Sequence, residues 1–169
     1  DLGGSALTPD PRWGTGQLAG WLNRTDHADL DLLGYTPIEA ARTDPQLLLA
    51  VESVWGALED AGYTSEQLTH SAGRVGVFVA TMWHDFEHRS CSPDQPGTTG
   101  SLGSDISQKI SHHFGFTGPS LTIDSGCSST TARIHLARTA LGAGECAAAI
   151  VVGVNLILHP HHLDRKSVV

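Results

Sequence analysis

A single cysteine carries the strongest chemical signal in this chain. Cys127 lies in Ile123-Asp124-Ser125-Gly126-Cys127-Ser128-Ser129-Thr130. A short apolar run, Ser120-Leu121-Thr122-Ile123, enters a corner of small residues, and a helix-compatible run from Ser128 to Leu141 leaves it. A thiol at such a corner sits at or beside a helix N-terminus, where unpaired backbone N–H groups and the helix dipole stabilise negative charge. A cysteine so placed is suited to forming acyl thioesters. Ser128 and Ser129 read as packing and capping residues at the helix start, and Asp124 as a structural residue. A hydrolase-type nucleophile elbow would need glycine two residues after the nucleophile, and Ser129 occupies that place.

The ten histidines offer less. His84 and His88 have the i, i+4 spacing that binds zinc on a helix, but the order differs from His-Glu-x-x-His and the segment reads as a loop. His159, His161 and His162 cluster after the last apolar run and read as a turn. His112 and His113 fall in a helical segment as packed or solvent-facing residues. No metal site and no directly bound cofactor is expected.

The elements that must position Cys127 alternate. Residues 1–40 are loop-rich, with Leu30, Leu32 and Leu33 as anchors. Thr43 or Asp44 caps a helix with Pro45 in its first turn. Leu48, Val51, Val54, Trp55, Leu58 and Ala61 then follow helical spacing, and Gly62 supplies the stop. Val75 to Ala80 is β-rich and apolar at successive positions, as a strand buried on both faces is. Residues 83–104 read as a loop and Asp105 to Phe114 as a helix. The strand into Cys127, the helix to about Leu141, the turn Gly142-Ala143-Gly144 and a strand from Ala147 to Val154 complete an α/β order.

Length and composition bound the class. The 169 residues carry a net charge of −8 and 19 glycines, which describes a globular, enzyme-like chain. There is no basic stripe for nucleic acid and no apolar run long enough to span a bilayer. Three cysteines without a pairing pattern fit a reducing, cytoplasmic setting. Cys146 reads as a small core residue and Cys91 as incidental.

The motifs around Cys127 resemble the ketosynthase domain of modular polyketide synthases. That family reads Gly-Pro-Ser, a short apolar strand, then Asp-Thr-Ala-Cys-Ser-Ser-Ser. Here Gly118-Pro119-Ser120 precedes Asp124-Ser125-Gly126-Cys127-Ser128-Ser129-Thr130. Downstream, Gly144-Glu145-Cys146 and Gly153-Val154-Asn155, with Pro160 beyond, match the family's next signatures. Upstream, Asp44-Pro45-Gln46 and Trp55 to Gly62 match another. Leu48 replaces an arginine usual in the family, and Lys109 stands where arginine is common, which bears on local ion pairs. Val77 to Phe86 and Leu156 to Pro160 look like the type with separately encoded acyltransferases.

The resemblance implies a partial thiolase-like α/β fold, an incomplete N-terminal half with helices flanking a mostly parallel sheet. It implies that Cys127 accepts an acyl chain from the phosphopantetheine arm of an acyl carrier protein, and that a malonyl-type extender then elongates it by decarboxylative condensation. The Cys127 N–H would contribute to an oxyanion hole. Two histidines and a lysine that complete the chemistry lie in the family's second half, beyond Val169, and the parent is expected to be a homodimer. On this reading 1–163 is a partial ketosynthase region, and 164–169 is a non-native read-through tail. The family's first strand is absent. It is expected to stand between the strands at 74–80 and 147–154, so that its loss leaves buried edges unpaired and the chain folds poorly alone. A fatty-acid ketosynthase and a catalytically dead scaffold are the alternatives.

Overall fold

The structure is a computed structural model and describes residues 29–86 and 105–158. Its first long element is α3 (Pro45–Asp60), which follows two short helices, α1 (Leu30–Leu33) and α2 (Pro37–Ala41). Asp44 caps α3: its Oδ1 accepts the Gln46 N–H at 2.8 Å, and Pro45 fills the first helical position, where no N–H is needed. Gln46, Leu47, Leu48, Ala50, Val51, Val54 and Leu58 form the buried stripe. Trp55, expected within that stripe, lies at its margin with 38% of its surface exposed, its ring tilted against Phe114. Tyr63 N–H donates to Leu58 C=O at 2.9 Å and Gly62 N–H to Glu59 C=O at 3.0 Å, which closes the helix where Gly62 predicts. Leu48 packs in the core.

The short helices before and after α3 each begin on a local cap. In α2, Thr36 and Glu39 form a reciprocal capping box, and Thr64 and Gln67 form another at the start of α4 (Ser65–Ala72). Residues 1–40 read as loop-rich, so α1 and α2 depart from that expectation, and α4 falls where no element is expected.

Among the described residues the sheet has three parallel strands, β1 (Val75–Ala80), β2 (Ser120–Ile123) and β3 (Ala148–Gly153), in the order β2-β1-β3. Every residue of β1 is buried, as its unbroken apolar run requires. β1 pairs directly with β3 over its whole length, from Val75 opposite Ala148 to Ala80 opposite Gly153. This corrects the expectation that the edges there are left unpaired. Both edges of β1 carry hydrogen-bonded neighbours, so the argument for poor folding from unpaired edges there falls away.

Two helices complete the layers. α5 (Asp105–Phe114) packs with α3 on one face of the sheet, and α6 (Ser129–Gly142) packs against β1 and β3 on the other. Val75, Val77 and Val79 point into the larger cluster with Leu47, Val51, Val54, Ile106 and Ile110. Phe78 points the other way, onto Ala137, Ala140 and Cys146, so Cys146 is the core residue the sequence predicts. Each fully buried Leu, Ile or Val contributes about 1.5–3 kcal/mol. Gly118 sets the spacing between β1 and the chain entering β2. A Cβ there would lie 2.6 Å from the Val75 carbonyl carbon and oxygen, and its own N–H donates to that oxygen at 2.9 Å.

Candidate active site

Parallel pairing brings the C-terminal ends of all three strands to one edge, the edge at which α/β sheets bind ligands. The corner after β2 is built there. Asp124 Oδ1 accepts the Gly126 N–H at 2.8 Å, closing a turn of side chain on backbone. Gly126 has φ 63°, the left-handed conformation that favours glycine. A short 3₁₀ turn, Gly126–Ser128, then leads directly into α6. Cys127 sits in that turn and is exposed. The sequence reading placed the thiol at or beside a helix start, and the structure agrees.

The serines divide their work differently from the expectation. Ser129 is buried, accepts the Ser125 N–H at 2.8 Å and lies 2.7 Å from the Gly126 carbonyl oxygen, to which its hydroxyl donates. It packs and ties the turn. Ser128 occupies the cap position of α6, yet its side chain caps no helical N–H. Its hydroxyl donates to Ser125 C=O at 2.9 Å instead. The capping role expected for it is corrected: the turn of Gly126–Ser128 rotates its hydroxyl back toward the corner. Asp124 is structural, as read.

The neighbouring loops are stitched together by side-chain to backbone hydrogen bonds. Gln46, with 0% exposure, donates from Nε2 to Trp83 C=O at 2.8 Å and accepts the Leu156 N–H on Oε1 at 3.1 Å. Asn155 Oδ1 accepts the Trp83 N–H at 3.2 Å, and Asp85 Oδ2 accepts the Leu158 N–H at 2.9 Å. The segments after β1 and β3 are thereby fixed as one wall beside the corner. The Asp-Pro-Gln signature thus supplies both a helix cap and a clamp.

Arg133 is the residue that sequence reasoning passed over. One turn along α6 from Ser129, it is 1% exposed, and its Nε donates to Val79 C=O at 3.1 Å in the central strand. Its Nη2 is buried without a partner. Burial pushes the Arg133 pKa down, and the charge of Asp124 pushes it back up. The available signal was spacing: Ser129, Arg133, Ala137 and Ala140 share the buried face of α6.

The histidines are dispersed. His84 has a buried Nδ1 without a partner. His112 is exposed, and His113 meets Phe114 edge-on, with ring centres 4.7 Å apart. His88, His159, His161, His162 and Cys91 lie outside the described residues. Among the described residues, no group of three His, Cys, Asp or Glu side chains could hold a metal, and no helix is long and apolar enough to cross a membrane.

The sequence model of the family described as beta-ketoacyl synthase, N-terminal domain, matches residues 8–167. The chain belongs to the β-ketoacyl synthase family. Ketosynthases of this family are acyl-condensing transferases with a thiolase-like fold, and the parallel sheet flanked by helices is part of that fold. Among the relatives, polyketide synthase PksM of Bacillus subtilis is 35% identical over 167 residues, covering 94% of this chain and 4% of the relative. The non-reducing polyketide synthase pkiA of Emericella nidulans is 39% identical over 153 residues, covering 89% of this chain and 6% of that protein. The solved oxazolomycin ketosynthase domain OzmH KS7 of Streptomyces albus superposes with a TM-score of 0.77 at 32% identity, over 85% of this chain and 25% of that domain. A ketosynthase from module 6 of the bacillaene synthase of Bacillus subtilis gives 0.72 at 28% identity, over 85% of this chain and 25% of that one. The ketosynthase chain therefore spans about a quarter of the solved domains and a far smaller share of the assembly lines it matches.

Proposed function

We propose that Cys127 is the acyl-accepting nucleophile of a polyketide ketosynthase. The observation that carries this reading is an exposed sulfur in a tight turn at the start of α6, on the ligand-binding edge of a parallel sheet, within a motif of the family. In the first stage the Cys127 thiolate attacks the carbonyl carbon of an acyl thioester held on the phosphopantetheine of an acyl carrier protein. The negative charge passes to oxygen, where the Cys127 N–H donates, and the carrier thiolate leaves as the carbonyl re-forms. In the second stage a carrier-bound malonyl-type extender loses carbon dioxide. Its carbanion forms the new carbon–carbon bond, and Cys127 leaves as thiolate. The two histidines and the lysine that assist this step in the family belong to its second half.

Polyketide rather than fatty-acid synthesis is favoured because polyketide synthases stand among the relatives and solved ketosynthases. Val77 to Phe86 and Leu156 to Pro160 support the type with separately encoded acyltransferases. The homodimer of the parent would form across β2, the outer strand of the described sheet, which leaves Leu121 and Ile123 exposed at 42% and 37%. A cytoplasmic location and the absence of a directly bound cofactor belong to the same reading.

The test is to load the intact parent with a radiolabelled acyl thioester. The wild-type protein is expected to retain label through denaturation, and Cys127→Ala to retain none. Equal labelling of the two would remove Cys127 from the reaction.

A further inference from the structure

One buried hydroxyl holds the peptide unit from which the Cys127 N–H projects. Ser129 is 5% exposed, and its Oγ lies 2.7 Å from the Gly126 carbonyl oxygen. The Thr81 carbonyl oxygen is farther, at 3.4 Å, so the single hydroxyl proton goes to Gly126. The same Oγ accepts the Ser125 N–H at 2.8 Å. The backbone N–H of Ser129 also donates to the Gly126 carbonyl, closing the 3₁₀ turn. Two donors of one buried residue thus fix the direction of the Gly126 C=O.

That direction sets another. A peptide unit is planar, and in its trans form the C=O and the next residue's N–H point opposite ways. The Gly126–Cys127 peptide is trans. With the Gly126 C=O turned toward Ser129, the Cys127 N–H faces away from Ser129. It lies in the first turn of a helical run, where N–H groups lack intrahelical acceptors. This peptide needs holding, because Gly126, at φ 63°, stands on one side of it, and glycine opposes rotation least. Half a turn of the plane would put a carbonyl oxygen where the N–H stands.

We infer that Ser129 is a positioning residue for acyl transfer: by holding the Gly126 C=O inward it aims the Cys127 N–H at the place where charge develops on the thioester oxygen. The inference rests on the reaction proposed above for Cys127. Ser129 acts through the backbone and not on the substrate. It also gives the motif's second serine a purpose apart from packing, since an alanine would pack and leave the peptide freer.

The experiment compares two reactions of Cys127 in the intact parent: loading from a radiolabelled acyl thioester, and alkylation by iodoacetamide read by mass spectrometry. Both need an exposed, ionised sulfur. Only loading places charge on a carbonyl oxygen, whereas alkylation forms a sulfur–carbon bond and expels iodide. Ser129→Ala is expected to lower the ratio of loading rate to alkylation rate about tenfold, short of the ~10²–10³ that outright loss of an oxyanion donor costs, because the Ser129 backbone N–H remains. A general loosening of the fold would lower both rates together and leave the ratio unchanged. Ser129→Thr keeps the hydroxyl and is expected to keep the wild-type ratio. An unchanged ratio in Ser129→Ala overturns the inference, as does a ratio in Ser129→Thr as low as in Ser129→Ala. If Ser129→Ala fails to fold, Ser129→Thr decides: a ratio that drops with the hydroxyl retained overturns the inference, and one that holds supports it. A wild-type parent that is alkylated but takes up no acyl group overturns the proposed function and this inference with it. A wild-type parent that loads, beside a Ser129→Ala variant with an unchanged ratio, overturns the inference alone.

Discussion

The two faces of the sheet are built on different principles. On one, α3 and α5 close over Val75, Val77 and Val79 with a continuous apolar cluster that reaches from Leu33 to Phe116. On the other, α6 meets Phe78 through Ala137 and Ala140, beside Cys146 from the chain before β3, and carries a buried serine and a buried arginine toward its start. The first face has the apolar area to hold the fold. The second gives up area for polar groups, of which Ser129 ties the corner around Cys127 and Arg133 bonds to the central strand. β2 shows the same division within one strand: Ser120 and Thr122 bond to α5 through Ser111 and Ser107, while Leu121 and Ile123 stay exposed.

The sharpest way to break this contrast is to truncate one buried side chain on each face. Ile110→Ala opens a cavity in the larger cluster and is expected to cost about 2–5 kcal/mol in urea denaturation of the parent. Cys146→Ala, on the α6 side, removes one buried sulfur and is expected to cost on the order of 1 kcal/mol. A larger loss at Cys146 than at Ile110 would end the division of labour.

Gln46→Leu tests where stability and site meet. The substitution removes the Gln46 hydrogen bonds to Trp83 C=O and Leu156 N–H. The buried Leu156 N–H, once orphaned, costs about 1–3 kcal/mol. Acyl loading at Cys127 is expected to fall further than the fraction folded, because the wall after β1 and β3 loosens. Loading that tracks the folded fraction alone would separate that wall from the site.

The smallest effect concerns pH. Burial, and then the neighbouring charge of His112, holds His113 below the ordinary histidine value of 6.5. The unfolded chain therefore binds its proton first as acid is added. Stability is full above 6.5 and declines as pH falls below it toward the lowered folded value. The slope is shallow, since the ring is partly solvated, and His113→Gln is expected to flatten it in denaturation curves recorded at stepped pH.

Much of this was legible in the residues themselves. Asp44-Pro45 announced α3, the apolar run 75–80 announced a strand buried on both faces, and the corner at Cys127 announced its own turn. Trp55 was misplaced because its spacing fits the stripe while its bulk sits at the edge of α5. The helices α1, α2 and α4 were missed because four to eight residues offer too little periodicity, although the capping boxes at Thr36–Glu39 and Thr64–Gln67 mark two of their starts. The direct pairing of β1 with β3 was not foreseen because it is a long-range fact that no local pattern encodes. Arg133 was hidden by its own chemistry: an arginine read alone is assigned to solvent, and only the helix face it shares with Ser129, Ala137 and Ala140 places it inside.

The central position of β1 also bears on how the protein is made. The ribosome delivers this strand well before either neighbour, since β2 and β3 both follow it in the chain. Until Ser120 and then Ala148 emerge, its bare flanks are open to any passing extended segment, the circumstance in which nascent chains depend on chaperones.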